Sequence, residues 1–290
     1  MRKPRLADLV IAGLAAVVLV VAAFVVFGQE ASPAHQNHVA ATATSAASGA
    51  GRSDSSDGYR LEPVEVPDRH GEDLPVAFRI IGPDQRPATG FQLNMTEQLH
   101  FFVVRDDLSV YRHVHPVPDG DTWRTAVSLP GDGQFRMYAE FIPPSTARHP
   151  EPVVLGAPFR IPGDATKAAL PSPSAETTTE TGYRVSVRDG LDLPLSAPAK
   201  IRLAISDPGG APVQSLEPHL GAYGHVTAFH TEQLSTTHLH PVEMVGIPVL
   251  GGTLTFDVWF GEAGAHRLFL EFRHNGQLHT AALTFTVAGV

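Results

Sequence analysis

No cysteine occurs among the 290 residues, which rules out disulfides, thiolate metal sites and cysteine nucleophiles together. A metal ion would have to be held by histidine, carboxylate or methionine. Lysine is almost missing too: Lys3, Lys167 and Lys200 are the three in the chain, so nearly all of the 21 basic residues are arginine. Acidic residues number 30 and the net charge is −9; residues 1–8 contribute +3 − 1 = +2, which leaves −11 on the remainder. That sign argues against a nucleic-acid partner and suits a cation. The chain contains no Gly-x-Ser-x-Gly, no phosphate-binding glycine loop and no clear catalytic triad, and after residue 28 no long stretch has a 3.6-residue apolar period. These absences point away from an enzyme and towards a strand-rich binding protein.

Histidine, by contrast, is abundant, with 15 in the chain. Six of them form a frame that occurs twice. His100, His113 and His115 are followed by Pro116, and His225, His238 and His240 are followed by Pro241; both copies read H-x12-H-x-H-P. A second block repeats without gaps, Thr122 to Phe141 on Thr253 to Phe272. One histidine-bearing unit is therefore present in tandem.

Each frame opens on an apolar run, breaks at a polar cluster (Asp106-Asp107; Thr231-Glu232) and resumes with alternating apolar residues, the pattern of a β-hairpin. Turns centred on those clusters would place His100 opposite His113 and His225 opposite His238. Residues i and i+2 of a strand share a face, so His115 and His240 join their trios near the open end of each hairpin. Three imidazoles on adjacent strands are a ligand set for copper or zinc. The alternative use of the same residues is as hydrogen-bonded or pH-responsive interior groups.

Further ligands are offered by the repeated block. Glu140 and Glu271 occupy equivalent strand positions, where a carboxylate either completes a site, accepts from a ligand imidazole, or pairs with an arginine. His149 and His279 follow them at similar distances. Met95 and Met244 flank the frames, and a thioether there would favour copper over zinc.

Nineteen uncharged residues, Leu9 to Phe27, follow Arg2, Lys3, Arg5 and Asp8. That length spans a hydrocarbon core as a helix of about 28 Å, and the positive flank puts the amino terminus in the cytoplasm and the rest outside. The expected organisation is a cytoplasmic stub and retained anchor (1–28), a flexible Ala/Ser/Gly linker (29–57), a first β-sandwich (58–162), a Pro/Ser/Thr linker (163–181) and a second β-sandwich (182–290). Short strands at about ten-residue spacing with Gly/Pro turns support the all-β assignment.

The tandem H-x-H-P frame, the Tyr223-Gly224-His225 lead-in and the Arg267-Leu-Phe-Leu-Glu-Phe strand after an Ala-Gly turn resemble bacterial extracytoplasmic, membrane-anchored His-rich proteins grouped with heavy-metal and copper-handling systems. The resemblance covers most of residues 74–142 and 200–287. It implies immunoglobulin-like sandwiches outside the membrane and metal positions at the six frame histidines. The first copy departs from the second in having Gln98-Leu99 where the second has Tyr223-Gly224.

The leading expectation is thus a single-pass, membrane-anchored protein whose two sandwiches capture or buffer a transition metal, copper in preference to zinc. A second is an envelope protein that binds another envelope protein and no metal. A third, cupin-like metal-dependent oxygenase, comes from the acids that follow each H-x-H (Asp119; Glu243).

Overall fold

In the computed structural model, residues 49–145 and 151–289 are described. The Leu9–Phe27 segment and His149 lie outside them.

The first repeat comprises β1 (Ser55–Ser56), β2 (Tyr59–Glu65), β3 (Gly71–Ile81), β4 (His100–Arg105), β5 (Tyr111–Val114), β6 (Val117–Asp119), β7 (Thr122–Leu129), β8 (Gly133–Phe141) and β9 (Val153–Ile161). The second comprises β10 (Glu176–Thr178), β11 (Arg184–Val187), β12 (Asp192–Pro194), β13 (Ala199–Ser206), β14 (Gly224–His230), β15 (Thr236–Leu239), β16 (Thr253–Val258), β17 (Gly264–His274) and β18 (Gln277–Ala288).

Each repeat forms two sheets. The first has β1-β2-β3-β7-β6 and β5-β4-β8-β9; the second has β10-β11-β13-β16 and β12-β18-β17-β14-β15. The order β5-β4-β8-β9 recurs as β15-β14-β17-β18, so the sequence repeat is a repeat of topology. The described residues are all-β, a pair of β-sandwiches. One core, with Phe78, Trp123, Phe101 and Phe141, lies between the sheets of the first sandwich, and another, with Val185, Phe256, Leu270 and Phe272, between those of the second.

A third core joins them. On β4, Phe101 and Val103 point into their own sandwich, while Phe102 and Val104 point outward into a cluster with Leu108, Tyr111, Tyr138, Val154, Phe229 and Phe269. β14 behaves alike: Val226 and Ala228 face inward, and Phe229 reaches the shared cluster. A strand covered on both faces has no need of polar alternation, which explains the unbroken apolar run after His100; in the matching run after His225 the one polar residue, Thr227, bonds the Tyr111 hydroxyl. Tyr111 stacks on Phe269 at 4.5 Å between centroids and an interplanar angle of 6°. Full burial of side chains this large is worth about 1.5–3 kcal/mol each. The two sandwiches accordingly fall in one compact unit.

Two expected linkers are more structured than their composition suggests. Within 29–57, the residues from Gly49 onward are anchored: Gly51 N donates to Val154 O at 3.2 Å, Thr236 N to Ala50 O at 2.9 Å, and the Arg136 guanidinium to Gly51 O and Arg52 O. This strap touches both repeats, and Ser55–Ser56 already form β1. Within 163–181, β10 pairs with β11, so the second sandwich begins before residue 182. Backbone hydrogen bonding, which small residues permit without side chains to bury, holds both segments.

Candidate metal centre

The hairpin registers differ from the expected ones by two residues. Phe102 pairs with His113 and Phe101 with Val114, while Thr227 pairs with His238 and Val226 with Leu239. His100 is therefore opposite His115, and His225 opposite His240. Each turn has four residues rather than two, closed by Arg105 N to Val110 O and His230 N to Ser235 O. Leu108 and Leu234 adopt left-handed backbone in them, at φ 57° and 52°. Both leucines look like strand residues by hydropathy, but they sit in the turns and pack into the shared core. A slip of two keeps every side chain on its face, so each trio stays together.

β4, β5, β14 and β15 present their outward faces to each other, and the six frame histidines gather into one cluster. Within the first trio the imidazole centroids are 4.7–5.4 Å apart, and within the second 4.6–5.7 Å. Across the repeats His113 and His238 are 5.3 Å apart and His100 and His238 4.8 Å.

The hydrogen bonds assign the proton-bearing nitrogen of four of the six rings. His100 Nε2–H donates to the Asn94 carbonyl at 3.1 Å, and His225 Nε2–H to the His219 carbonyl at 2.9 Å. A carbonyl only accepts, so both Nδ1 atoms are lone-pair nitrogens. His113 Nδ1–H donates to Glu271 Oε2 at 2.8 Å and His238 Nδ1–H to Glu140 Oε1 at 3.1 Å, leaving lone pairs on their Nε2 atoms. Each glutamate serves the histidine of the opposite repeat, although in its own sheet Glu140 is paired with His100 and Glu271 with His225.

These tautomers bring lone pairs together. His100 Nδ1 lies 3.2 Å from His113 Nε2, and His115 Nε2, able to donate to His100 Nδ1 or to turn a lone pair to a shared ion, is 3.1 Å from it. In the second trio His225 Nδ1, His238 Nε2 and His240 Nε2 are all buried without a hydrogen-bond partner. Nitrogens bound to one ion at about 2.0–2.1 Å with tetrahedral angles are roughly 3.3–3.4 Å apart, close to the spacing in the first trio. His100, His113 and His238 also each offer a ligand atom within 4.8 Å of the others, as do His225, His238 and His240. His238 cannot serve both sets fully, because its Nδ1 is engaged by Glu140. The 3.1 Å nitrogen separation from His100 places His115 in the first set; His238 borders both, 4.6 Å from His240 and 4.8 Å from His100 between centroids, and the sequence repeat groups it with the second.

Burial governs the electrostatics. It lowers His100 and His225 from 6.5 to about 4 and His115 to about 2, and holds His113, His238 and His240 well below 6.5; the neighbouring imidazoles push the same way. All six are neutral at pH 7, the form in which imidazole binds metal. Burial also raises Glu140 and Glu271 to about 7. Tyr111, raised well above 10.0 by burial and by Glu271, braces that carboxylate from 3.4 Å and bonds Thr227 at 3.0 Å.

Other candidate residues lie elsewhere. His279 faces the core of its own sandwich, bonded to Thr181 Oγ1 at 2.8 Å and the His274 carbonyl at 3.2 Å, because its parity on β18 is that of Ala281 and Leu283. Met244 is 56 % exposed, and Met95 sits in the turn after Asn94 at φ 49°. Asp119 pairs with Arg124 at the surface and Glu243 accepts the Thr255 amide, so neither acid of the cupin-like pattern is placed among the imidazoles. The carbonyls of Asn94 and His219, and the Tyr111 hydroxyl, were not singled out by sequence. Asn94 and His219 each precede the first frame histidine by six residues, so extending the repeat upstream would have paired them.

No curated protein sequence matches the chain. Among solved structures, the chain is similar to the Escherichia coli adhesin FdeC (13 % identity, TM-score 0.23, covering 81 % of this chain and 65 % of that one) and to the ICAM-5 D1–D4 ectodomain fragment (13 %, 0.23, 79 % and 53 %). It is also similar to domains 4 and 5 of the S-layer protein SbsC (10 %, 0.23, 79 % and 98 %). The chain thus spans about two thirds of the adhesin chain and half of the ICAM-5 fragment. The fold assignment rests on the sheets described above. The sequence profile of a domain of unknown function, DUF8832, matches residues 177–289, the second repeat.

Proposed function

We propose that this protein is a membrane-anchored, extracytoplasmic binding protein that captures or buffers a transition metal, copper or zinc, between two immunoglobulin-like sandwiches. The reading is of a binder, not an enzyme, held to the membrane by Leu9–Phe27, with another envelope protein as the natural recipient or donor of the ion. The observation that carries it is the convergence of lone pairs: His100 Nδ1 and His113 Nε2 face each other at 3.2 Å while their other nitrogens are committed as donors. Two lone pairs held that close repel unless a cation lies between them. A purely structural imidazole would donate to its neighbour instead, and buried polar atoms without partners such as His225 Nδ1, His238 Nε2 and His240 Nε2 are costly in a packed interior.

The test is elemental analysis of the full chain in detergent, prepared without chelating resin, beside the His115→Ala/His240→Ala variant. Those two imidazoles make no carboxylate contact, so their removal leaves both crossed glutamate bonds in place. Copper or zinc at one to two equivalents in the parent and a loss in the variant is the expected result. A parent that stays metal-free after incubation with either ion would overturn the reading.

A further inference from the structure

We propose that the centre is built for a pair of monovalent copper ions, one per imidazole trio, an inference that rests on the metal-binding reading above and names its ion. The argument begins with charge. Glu140 and Glu271 are the only aspartates or glutamates buried among the described residues, and each is bonded to a ligand imidazole. The six imidazoles are neutral donors. Arg112, the cation felt by Glu271, sits beside His113 on β5 and turns the other way to bond Ser128 O and Tyr111 O. Two carboxylates balance two Cu⁺ to zero. Two divalent ions would leave an excess of two positive charges in an interior of low polarity, where uncompensated charge is strongly disfavoured, and their mutual repulsion would be four times that of two monovalent ions at the same separation.

Coordination number points the same way. Zn²⁺ in protein sites takes four ligands, commonly with water or carboxylate completing three histidines. Here each trio offers three nitrogens, and both carboxylates are turned to the Nδ1 side of the rings, away from the lone pairs. Met244 supplies no fourth ligand, since it is 56 % exposed. A d¹⁰ monovalent ion is satisfied by three donors and gains nothing from a fourth oxygen.

The experiment is an anaerobic titration of the chelator-stripped full chain with Cu⁺ against bicinchoninate, with parallel titrations of Cu²⁺ and Zn²⁺ against chelators of known affinity. The expected result is two Cu⁺ per chain, held more tightly than either divalent ion. In the isosteric Glu140→Gln/Glu271→Gln variant, with its fold checked by circular dichroism, Cu⁺ affinity should drop about tenfold or more. Two Zn²⁺ or Cu²⁺ per chain held more tightly than Cu⁺ would overturn monovalence while leaving a metal protein, and a single Cu⁺ would overturn the pair. Uptake of no ion would overturn the metal-binding reading itself.

Discussion

His113 Nδ1 donates to Glu271 Oε2 at 2.8 Å, and the two residues belong to different sandwiches. The reciprocal bond runs from His238 to Glu140. A ligand of each trio is thereby oriented by the other repeat, and the two sets are mechanically interdependent. Glu271→Gln is expected to weaken binding at the first set by about 10–100-fold, the usual cost of losing a carboxylate behind a ligand imidazole. The combination with His115→Ala should remove no further ion, whereas the combination with His240→Ala should abolish both. Metal stoichiometry of the three variants checks this, and a Glu271→Gln effect confined to the second set would contradict the crossing.

The pH response follows from two opposed groups. His100 and His225 titrate at about 4 in the folded chain against 6.5 ordinarily, so between those values the unfolded chain binds more protons and acid destabilises the metal-free protein. Glu140 and Glu271 titrate at about 7 against 4.5; their contribution is full below pH 4.5 and is lost as pH rises through 7. Between pH 4.5 and 6.5 these two pairs oppose each other, and His113, His115, His238 and His240, held lower still, decide the sign, so thermal melting of metal-free protein should fall from pH 6.5 towards 4 and decline slightly from 6.5 to just above 7. Metal uptake at pH 6 should release protons from the two carboxyl groups, not from the already neutral imidazoles. Calorimetry in buffers of different ionisation enthalpy would register that release, and the dependence on buffer should vanish above pH 8.

Phe229 is fully buried in the core shared by the two sandwiches, beside Tyr138 and Phe269. Phe229→Ala is expected to cost about 3–5 kcal/mol, measured by denaturant unfolding, and to loosen both trios, since β14 carries His225 four residues away. Metal binding that survives this substitution undiminished would mean that the sandwiches need not be docked.

Gly156 lets the strap pass close over β9, its own amide bonding Ser53 O at 2.7 Å. A Cβ there would lie 2.0 Å from the Gly51 carbonyl, so Gly156→Ala should displace the Gly49–Ser53 strap. Limited proteolysis should then cut near Arg52 while the sandwiches remain intact. Unchanged protection of Arg52 would show that the strap accommodates the methyl group.

Much of this architecture is legible in the sequence because the repeat marks it. The strand-rich character, the hairpins and the grouping of His100, His113 and His115 follow from spacing and alternation, and a register error of two left the face of every residue unchanged. Leu108 and Leu234 hid the true turns, because an apolar residue in left-handed backbone is indistinguishable by hydropathy from one in a strand. Glu140 and Glu271 could be seen as partners for histidine, but not for the opposite repeat's histidine: that exchange depends on how the two sandwiches dock, and the docking is driven by Phe102, Tyr111 and Phe269, which read as ordinary core residues. His279 shows the reverse case, a histidine of suitable type whose strand parity turns it into its own core.

The most direct measurement is X-ray absorption fine structure at the copper or zinc edge of the loaded full chain. The account predicts about three nitrogen neighbours per ion at roughly 2.0 Å, the outer-shell scattering of imidazole rings, and no sulfur. A first shell dominated by oxygen, or one without imidazole scattering, would contradict the histidine trios as the binding centre.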